Sequence, residues 1–361
     1  MTSMPRTAPT PIPVRPSALQ SRVASPNVAA PILSIVIVNY RQWRNTARLV
    51  RQLLKSPALR SGDAEIVVVD NHSPYDSVRM KLRRAPGVSL RCLRQNRGFA
   101  RGANEGCRLG RGRWFLLLNP DVTAPAGSVE RAMERIERIG TEEPRAGIVG
   151  LQLRDSDGNR QGSVGIDPTF LGTLVGLLRP RSTRKCSQRI MRRCAKVPWV
   201  TGCGLLLRRE CFLAVRGFDP DYFLYSEDAD LCRRARAAGW TVWHEPNVQL
   251  VHHCPLHGRK VPSRTRLLTR HALLTFARKH WPAWQVLFFA SLIWVEALLR
   301  GPRRFRPLRR MAADFLLGKV RRAYRRVWHA AQWRGKSVEG IRVESSKASR
   351  RGNRERRPLP R

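Results

Sequence analysis

From residue 32 onward, short unbroken apolar runs alternate with segments of helical periodicity, and that alternation restricts the chain to an α/β architecture. The runs are "ILSIVIV", "AEIVVVD", "VSLRCL" and "WFLLLN"; helical patterns fall between them at about Trp43 to Lys55, Ser77 to Arg84 and Gly102 to Leu109. Val/Ile/Leu runs of this kind suit strands covered on both faces, and β-α-β order implies a mostly parallel sheet flanked by helices. Ligands of such sheets lie beyond the carboxyl ends of the strands. Three runs end on polar groups there: Val38-Asn39-Tyr40, Asp70-Asn71-His72-Ser73 and Asn119-Pro120-Asp121. One such ending is an ordinary loop cap, whereas three in sequence along one sheet point to a shared site.

The stretch "NRGFARGANEG", residues 96 to 106, precedes the third of these ends. Its glycines at 98, 102 and 106 allow close backbone approach, and amides at the start of the following helix would face an anion. A phosphate held there would sit near Asp121, a carboxylate able to carry Mg²⁺ or Mn²⁺, since hard cations take one or two carboxylates plus substrate phosphates. The bland alternative is an Asn-Pro-Asp turn that merely ends a strand. In the second half, "RECFLAVRGFD" reads as a helix closed by Gly217, and "YSEDADLCRRARAAG" as another closed by Gly239 with Ser226 as its N-cap. Glu227, Asp228 and Asp230, beside Tyr222, Phe223 and Tyr225, exceed what a cap needs, and a carboxylate at a helix start can serve as general base. "WTVWHEPNVQLVHH" reads as a strand pair ending in His252-His253. Either histidine there completes a metal shell or is a buried, hydrogen-bonded imidazole.

The chain as a whole is strongly basic: 68 Lys+Arg against 26 Asp+Glu give a formal net charge of +42. Such a charge fits polyanionic partners, or an arginine-rich background. Residues 1–30, rich in Pro, Ser, Ala and Arg without an apolar h-region, read as a disordered arm. The eight cysteines contain no C-x-x-C pair and read as reduced thiols of a cytosolic protein, with Cys254 after His252-His253 the one hint of zinc. "AWQVLFFASLIWVEALL", residues 283 to 299, is apolar and aromatic between basic flanks, at the short edge of what spans a bilayer and suited to the headgroup region. From Leu308 to Trp333, Leu308, Met311, Phe315, Leu316, Val320, Tyr324, Val327 and Trp328 recur at helical spacing amid arginines, a basic amphipathic stripe. Packing on the core is the competing reading of both segments. Cations near an anionic leaflet contribute about 1 kcal/mol each, so this region is expected to anchor the protein.

In their order these motifs resemble the family 2 inverting glycosyltransferases of the GT-A fold, in particular the bacterial rhamnosyltransferase-like branch that builds cell-surface polysaccharides. The pieces that carry the resemblance are "SIVIVNY", "IVVVDNHS", "NRGFARGANEG", "LLLNPDV", the stretch from Val200 to Gly239 and "WHEPNVQLVHH", spanning residues 34 to about 281. The resemblance implies a GT-A catalytic domain over 31–281; the charge and periodicity described above give an amphipathic membrane-associating region over 282–335 and a disordered basic tail over 336–361. It implies that Val38, Asn39, Tyr40, Asp70 and Asn71 line the nucleotide pocket and that Asn96, Gly98 and Asn104 approach the donor. Asn119-Pro120-Asp121 stands where the family has Asp-x-Asp, so Asp121 is similar to its metal-binding carboxylate, with Asn replacing the first Asp. Asp228 matches the catalytic base, with Glu227 beside it; His252 matches a metal- or diphosphate-contacting histidine, with His253 its rival. A serine common a few residues later is replaced by His257.

The implied reaction is displacement at an anomeric carbon with inversion. Asp228 deprotonates an acceptor hydroxyl as the nucleoside diphosphate leaves, and Mg²⁺ or Mn²⁺ stabilises the leaving charge. Arg97 and Arg101 either neutralise phosphate or are solvated surface arginines. The implied donor is dTDP-rhamnose or a UDP-hexose, and the implied acceptor a glycan or lipid-linked hydroxyl. The implied location is cytoplasmic, peripheral on the inner face of the bacterial plasma membrane. Two other classes compete. A nucleic-acid-binding protein would explain the charge, but the core lacks a zinc-finger or RNP-type signature, so no specific nucleic acid is expected. A sugar nucleotidyltransferase would share the metal logic without needing the Glu227-Asp228 helix.

Overall fold

The computed structural model describes residues 30–178, 193–253, 262–301, 303 and 305–332. The arm before Ala30, the basic tail, Cys186, Cys254 and His257 lie outside the described residues. The first half runs β1 (Leu33–Asn39), α1 (Trp43–Leu53), α2 (Pro57–Ser61), β2 (Ala64–Asp70), α3 (Val78–Arg84), β3 (Val88–Cys92), α4 (Phe99–Leu109) and β4 (Trp114–Leu118). It continues with β5 (Val122–Thr123), α5 (Ser128–Glu142), β6 (Ala146–Arg154), β7 (Val164–Gly165), α6 (Phe170–Leu178), β8 (Ala195–Lys196) and β9 (Trp199–Val200). Then come β10 (Leu205–Arg208), α7 (Arg209–Ala214), α8 (Glu227–Ala237), β11 (Thr241–His252) and four helices, α9 (Ser263–His280), α10 (Ala283–Leu299), α11 (Arg306–Leu316) and α12 (Val320–Gln332).

The main sheet has the order β3-β2-β1-β4-β10-β6-β11-β5, with β8 pairing β11. β1, β2, β3 and β4 pair in parallel, as do β6 and β11, while β10 runs antiparallel between β4 and β6. The apolar runs are continuous because both faces are covered, yet the period of two survives in which core each residue enters. Ile35, Ile37, Ile66, Val68, Leu116 and Leu118 pack with α1 and α5 on one face. Val36, Val38, Val67, Val69, Phe115 and Leu117 pack with α4, α7 and α8 on the other. Because β2 and β4 flank β1 on opposite sides, the chain reverses its winding there, and a crevice opens at the carboxyl ends of β1 and β4. Asn39 ends β1 and Asn119 follows β4, so the polar strand ends meet at that switch point.

Two elements differ from the sequence reading. Helix α4 starts at Phe99, three residues early, because Gly98 (φ 91°, ψ 168°) turns the chain sharply into it. Gly102 and Gly106 then lie inside α4 and let it sit close on β1: a Cβ on Gly102 would stand 2.7 Å from Val38 Cγ1, and one on Gly106 would collide with Val36. Their close approach is to the sheet. β11 is one strand rather than a pair; its register with β6 slips between Glu245 and Gln249, around Pro246, which has no amide to give the ladder.

The C-terminal helices form a second layer with their own core. α10 packs on α11 and α11 on α12, with α9 touching all three. Leu308, Met311, Phe315 and Val327 are buried there together with Phe223, so the stripe from Leu308 to Trp328 faces protein, and its amphipathic pattern reports a core face. Glu296, the lone acid of α10, is held by Arg266, Arg270 and Arg300 at 2.9–3.0 Å. His271 is fully enclosed against the rings of Phe315 and Tyr324, and burial pushes its pKa down to about 4. No described helix is long and apolar enough to cross a membrane.

Candidate active site

At the end of β1 the buried Asn39 amide is fully engaged. Its Nδ2 donates to Asp70 Oδ1 (2.8 Å) and Ser73 Oγ (3.2 Å), and its Oδ1 accepts from Thr46 Oγ1 (2.9 Å) and the Gln42 amide (3.2 Å). Asp70 accepts the Ser73 amide through Oδ2 (3.0 Å). Asn39 and Asp70 therefore lock the β1 and β2 ends together, and the Asn39 amide spends its hydrogen-bonding capacity inside the protein. Asn71 fixes the glycine loop: its Nδ2 donates to the Gly98 carbonyl (3.0 Å) and its Oδ1 accepts from the Arg97 amide (3.2 Å). Asn96 Oδ1 accepts from the Gly98 amide at 3.0 Å. Asn104 is committed elsewhere, its amide clamping both backbone groups of Phe218 at 2.7 and 2.8 Å.

A second set of ties reaches the glycine loop from the C-terminal helices. Trp328 Nε1 donates to the Asn96 carbonyl (2.8 Å), Tyr324 Oη to the Arg97 carbonyl (3.3 Å), and Tyr40 Oη to the Ala331 carbonyl (3.4 Å). The first amide of α4, Phe99, donates to the Phe223 carbonyl at 2.8 Å, which joins the loop to the segment that leads into α8. Helix α12 thus forms a wall beside residues 40 and 95–97, and a cavity of about 270 Å³ lined by Arg97, Arg101, Tyr324, Arg325, Trp328 and His329 opens between them.

Helix α8 begins from an unusual backbone. Tyr225 (φ 76°) and Ser226 (φ 63°) are both left-handed, a conformation that costs L-residues energy and clusters at functional sites. Ser226 occupies the N-cap position but makes no side-chain cap hydrogen bond, contrary to the reading from sequence. Of the three acids that follow, Asp230 is structural. Burial alone would raise its pKa, but the hydrogen bond from His280 (2.9 Å) and the ion pair with Arg234 (2.7 Å) hold the carboxyl below its ordinary value. Tyr222 Oη donates to it as well, at 3.2 Å. Asp228 is different: its Oδ2 accepts the Gly202 amide (3.2 Å), and its Oδ1 the amide of Ala229 (2.9 Å). Glu227 is buried beside it.

The turn at Gly202-Cys203 links the two halves. Cys203 is buried, which raises its thiol pKa, and the charge of Asp121 raises it further. Asp228 accepts the Gly202 amide, and, two residues on, the Gly204 amide donates to the Leu117 carbonyl (3.0 Å), which ties this turn to the strand that runs into Asn119-Pro120-Asp121; Gly202 also lies near the Phe99 ring. Across from Asp121 stands His252, with Nε2 3.6 Å from Asp121 Oδ1 and both side chains 13% exposed. His253 turns away, its Nε2 2.8 Å from Thr123 Oγ1. The protonation of His252 follows from Gln161, whose Nε2 donates to the His252 carbonyl (2.7 Å) and the Arg154 carbonyl (3.2 Å). That orientation leaves Gln161 Oε1 to accept from His252 Nδ1 at 3.1 Å, so in the neutral ring Nε2 carries a lone pair toward a carboxylate. Two acceptors facing one another need a proton or a cation between them. Ligands of one Mg²⁺- or Mn²⁺-sized ion stand roughly 3–4 Å apart, which the pair matches. Among the described residues no three His, Cys, Asp or Glu side chains gather at one point, so Asp121 and His252 could hold a cation only with further ligands from a substrate. Gln161 was not found from sequence: it lies in a loop far from either histidine, with no motif around it.

A mixed, mostly parallel sheet flanked by helices, with its crevice at the β1/β4 switch point, is the architecture of the GT-A glycosyltransferases. The chain belongs to the family described as glycosyltransferase like family 2, whose model matches residues 30–284. It is 28% identical over 301 residues, covering 76% of this chain and 96% of the relative, to the N-acetylglucosaminyl-diphospho-decaprenol L-rhamnosyltransferase of Mycobacterium tuberculosis. It is also 40% identical over 140 residues to the rhamnosyltransferase WbbL of Escherichia coli K12, across 39% of this chain and 52% of that protein. Among solved structures, GalNAc-T7 with UDP, GalNAc and Mn²⁺ aligns with a TM-score of 0.52 at 16% identity, over 73% of this chain and 51% of that one, a likeness of fold.

Proposed function

We propose that this glycosyltransferase is an inverting, divalent-metal-dependent rhamnosyltransferase. It moves the sugar of a nucleoside-diphosphate rhamnose to a hydroxyl of a diphospholipid-linked glycan at the cytoplasmic face of the membrane. The rhamnosyltransferase relatives support the donor and acceptor classes. The observation that carries the reaction is the turn at Gly202, which holds the Asp228 carboxylate and, through Gly204, is hydrogen-bonded to the strand that leads to Asp121.

Asp228 is the general base. The Gly202 and Ala229 amides fix its carboxylate, and it takes the proton from the acceptor hydroxyl as that oxygen attacks the anomeric carbon opposite the leaving diphosphate. Asn71 and Asn96 use the carbonyl and amide of Gly98 to hold the glycine loop in one shape, which preorganises the rim against which the donor would lie. Arg97 and Arg101 bring positive charge to the same rim. A divalent cation, when bound by Asp121 and His252, would offset the charge that develops on the departing diphosphate. Glu227 flanks the base, and Val38, Asn39, Tyr40 and Asp70 shape the floor of the nucleotide pocket.

Asp228→Asn tests the assignment. Turnover should fall by about 10²–10⁴-fold while affinity for the nucleotide sugar is kept. Retained turnover with lost donor affinity would move the base elsewhere. Release of pyrophosphate in place of a nucleoside diphosphate would overturn the transferase chemistry itself.

A further inference from the structure

Helix α10 is apolar on both sides, but only one side is packed. Val286, Phe289, Ala290, Ile293 and Ala297 are buried in the helical layer. Trp284 (62% exposed), Leu287, Phe288, Val295 and Leu299 (83%) recur on the opposite side at helical spacing. The stripe does not stop at the edge of the helix. Phe170 of α6 meets Trp284 and Phe288 edge-on, with ring centroids 5.4 and 5.7 Å apart, and brings Leu171 (71% exposed) and Val175 alongside. Nothing among the described residues covers this surface. Exposed apolar patches that run across two elements mark interaction sites in otherwise soluble folds.

The short link from Leu299 to Arg306 brings basic charge to the exposed C-terminal end of the stripe, and that selects the partner. α11, packed on α10, carries Arg306, Arg309 and Arg310, and α12 adds Arg322 and Arg326. Asp314 engages Arg326 (2.5 Å) and Arg322 (3.9 Å) and is the one acid paired with any of the five among the described residues. Crowding shows at Arg310, whose pKa is lowered chiefly by the Arg306 charge. A second copy docking isologously through the same face would bring its own guanidiniums near these. An anionic leaflet instead offers hydrocarbon to the tryptophan and leucine side chains and phosphate to the arginines.

Resting on the reading that the acceptor is lipid-linked, we propose that α6 and α10 form the membrane-seated face of the enzyme, immersed at headgroup depth in an anionic leaflet, with the arginines of α11 and α12 on lipid phosphates. The patch is mechanically joined to the catalytic helix. Asp167, just before α6, accepts from Arg236 (2.5 Å) and Arg233 (3.4 Å) of α8, and Trp281 Nε1 donates to the Pro168 carbonyl (2.8 Å). Seating this face would hold the C-terminal half of α8, the helix that begins at Glu227-Asp228, close to the leaflet that carries a lipid-anchored acceptor.

The test uses the full chain with phosphatidylcholine vesicles, with or without phosphatidylglycerol. Wild type should sediment with the anionic vesicles and stay in solution with the neutral ones, and brominated lipid should quench its tryptophan fluorescence, less so in Trp284→Phe. Leu287→Ser/Phe288→Ser, on the exposed stripe, and Arg306→Glu/Arg310→Glu should each bind anionic vesicles about tenfold more weakly or worse. Both should keep the wild-type melting temperature and wild-type turnover on a short-chain, water-soluble acceptor. Undiminished vesicle binding by both variants overturns the proposal, as does a wild-type dimer that Leu287→Ser/Phe288→Ser converts to monomer. Turnover on the soluble acceptor reports separately on the proposed reaction. If it is present without vesicle binding, the membrane face alone is wrong; if it is absent in wild type, the substrate assignment fails whatever the vesicles show.

Discussion

Replacing Gly98 by alanine should uncouple the donor loop from the segment that leads into the catalytic helix. Gly98 has φ 91° and ψ 168°, a region nearly closed to residues with a Cβ, at a cost of about 1–3 kcal/mol. The added methyl would also stand 2.8 Å from Phe223 Cα and 2.9 Å from its carbonyl carbon, and closer still to the carbonyl oxygen. Backbone cannot swing aside as a side chain can, so the loop must move and the Phe99 amide must leave Phe223, at about 1 kcal/mol more. The combined cost is about 2–4 kcal/mol, or roughly one to three decades in an equilibrium constant. It should appear jointly in the melting free energy and in calorimetric affinity for the nucleotide sugar. Gly62→Ala is the control: Gly62 has φ 88° with nothing within 4 Å of a built Cβ, so it pays only the backbone term, about 1 kcal/mol. If Gly98→Ala melts and binds donor no worse than Gly62→Ala, the loop is not pinned against Phe223 and the reasoning fails.

Asp121→Ala should abolish the metal-dependent part of donor affinity, so that titrations with and without chelator coincide; a persistent difference would place the cation elsewhere. Gln161→Leu should weaken Mn²⁺ affinity by about 10–100-fold by removing the acceptor that orients His252, read from Mn²⁺ titration of donor binding, and an unchanged midpoint would refute that role. His271 should make the fold acid-sensitive. Its folded pKa of about 4 lies below its ordinary 6.5, so the unfolded chain binds the extra proton, and stability present above pH 6.5 is lost as pH falls toward 4, by about 3 kcal/mol. His271→Phe should flatten denaturant midpoints over that window; a slope equal to wild type would assign the sensitivity to other groups.

The strands were legible because continuous Val/Ile/Leu runs have few homes other than a sheet covered twice, and the β-α-β order then put the three polar ends on one rim. What the side chains do at that rim was not legible. Asn39 and Asn104 read as ligand-facing amides, yet their hydrogen bonds run to Asp70, Ser73, Thr46 and Phe218, partners that only the folded chain brings near. Gln161 was invisible for the same reason, sitting 91 residues from the histidine it orients. The stripe from Leu308 to Trp328 misled because a helix facing lipid and a helix facing protein share one periodicity, and here the partner is α9 and α10. For α10 the sequence had no single answer to give, since one side is packed and the other bare.

The hydrogen bonds from Tyr324 and Trp328 to the carbonyls of Arg97 and Asn96 place part of the sugar-nucleotide cradle outside the segment that the family shares, which ends at residue 284. A fragment trimmed to that shared segment would keep every acid and amide of the rim but lose the brace on the carbonyls of residues 96 and 97. Relatives that differ only in their terminal helices could therefore differ in which sugar nucleotide they hold, with no change in any signature residue. Engineering of donor choice has an address there, remote in sequence from the chemistry and adjacent to it in space.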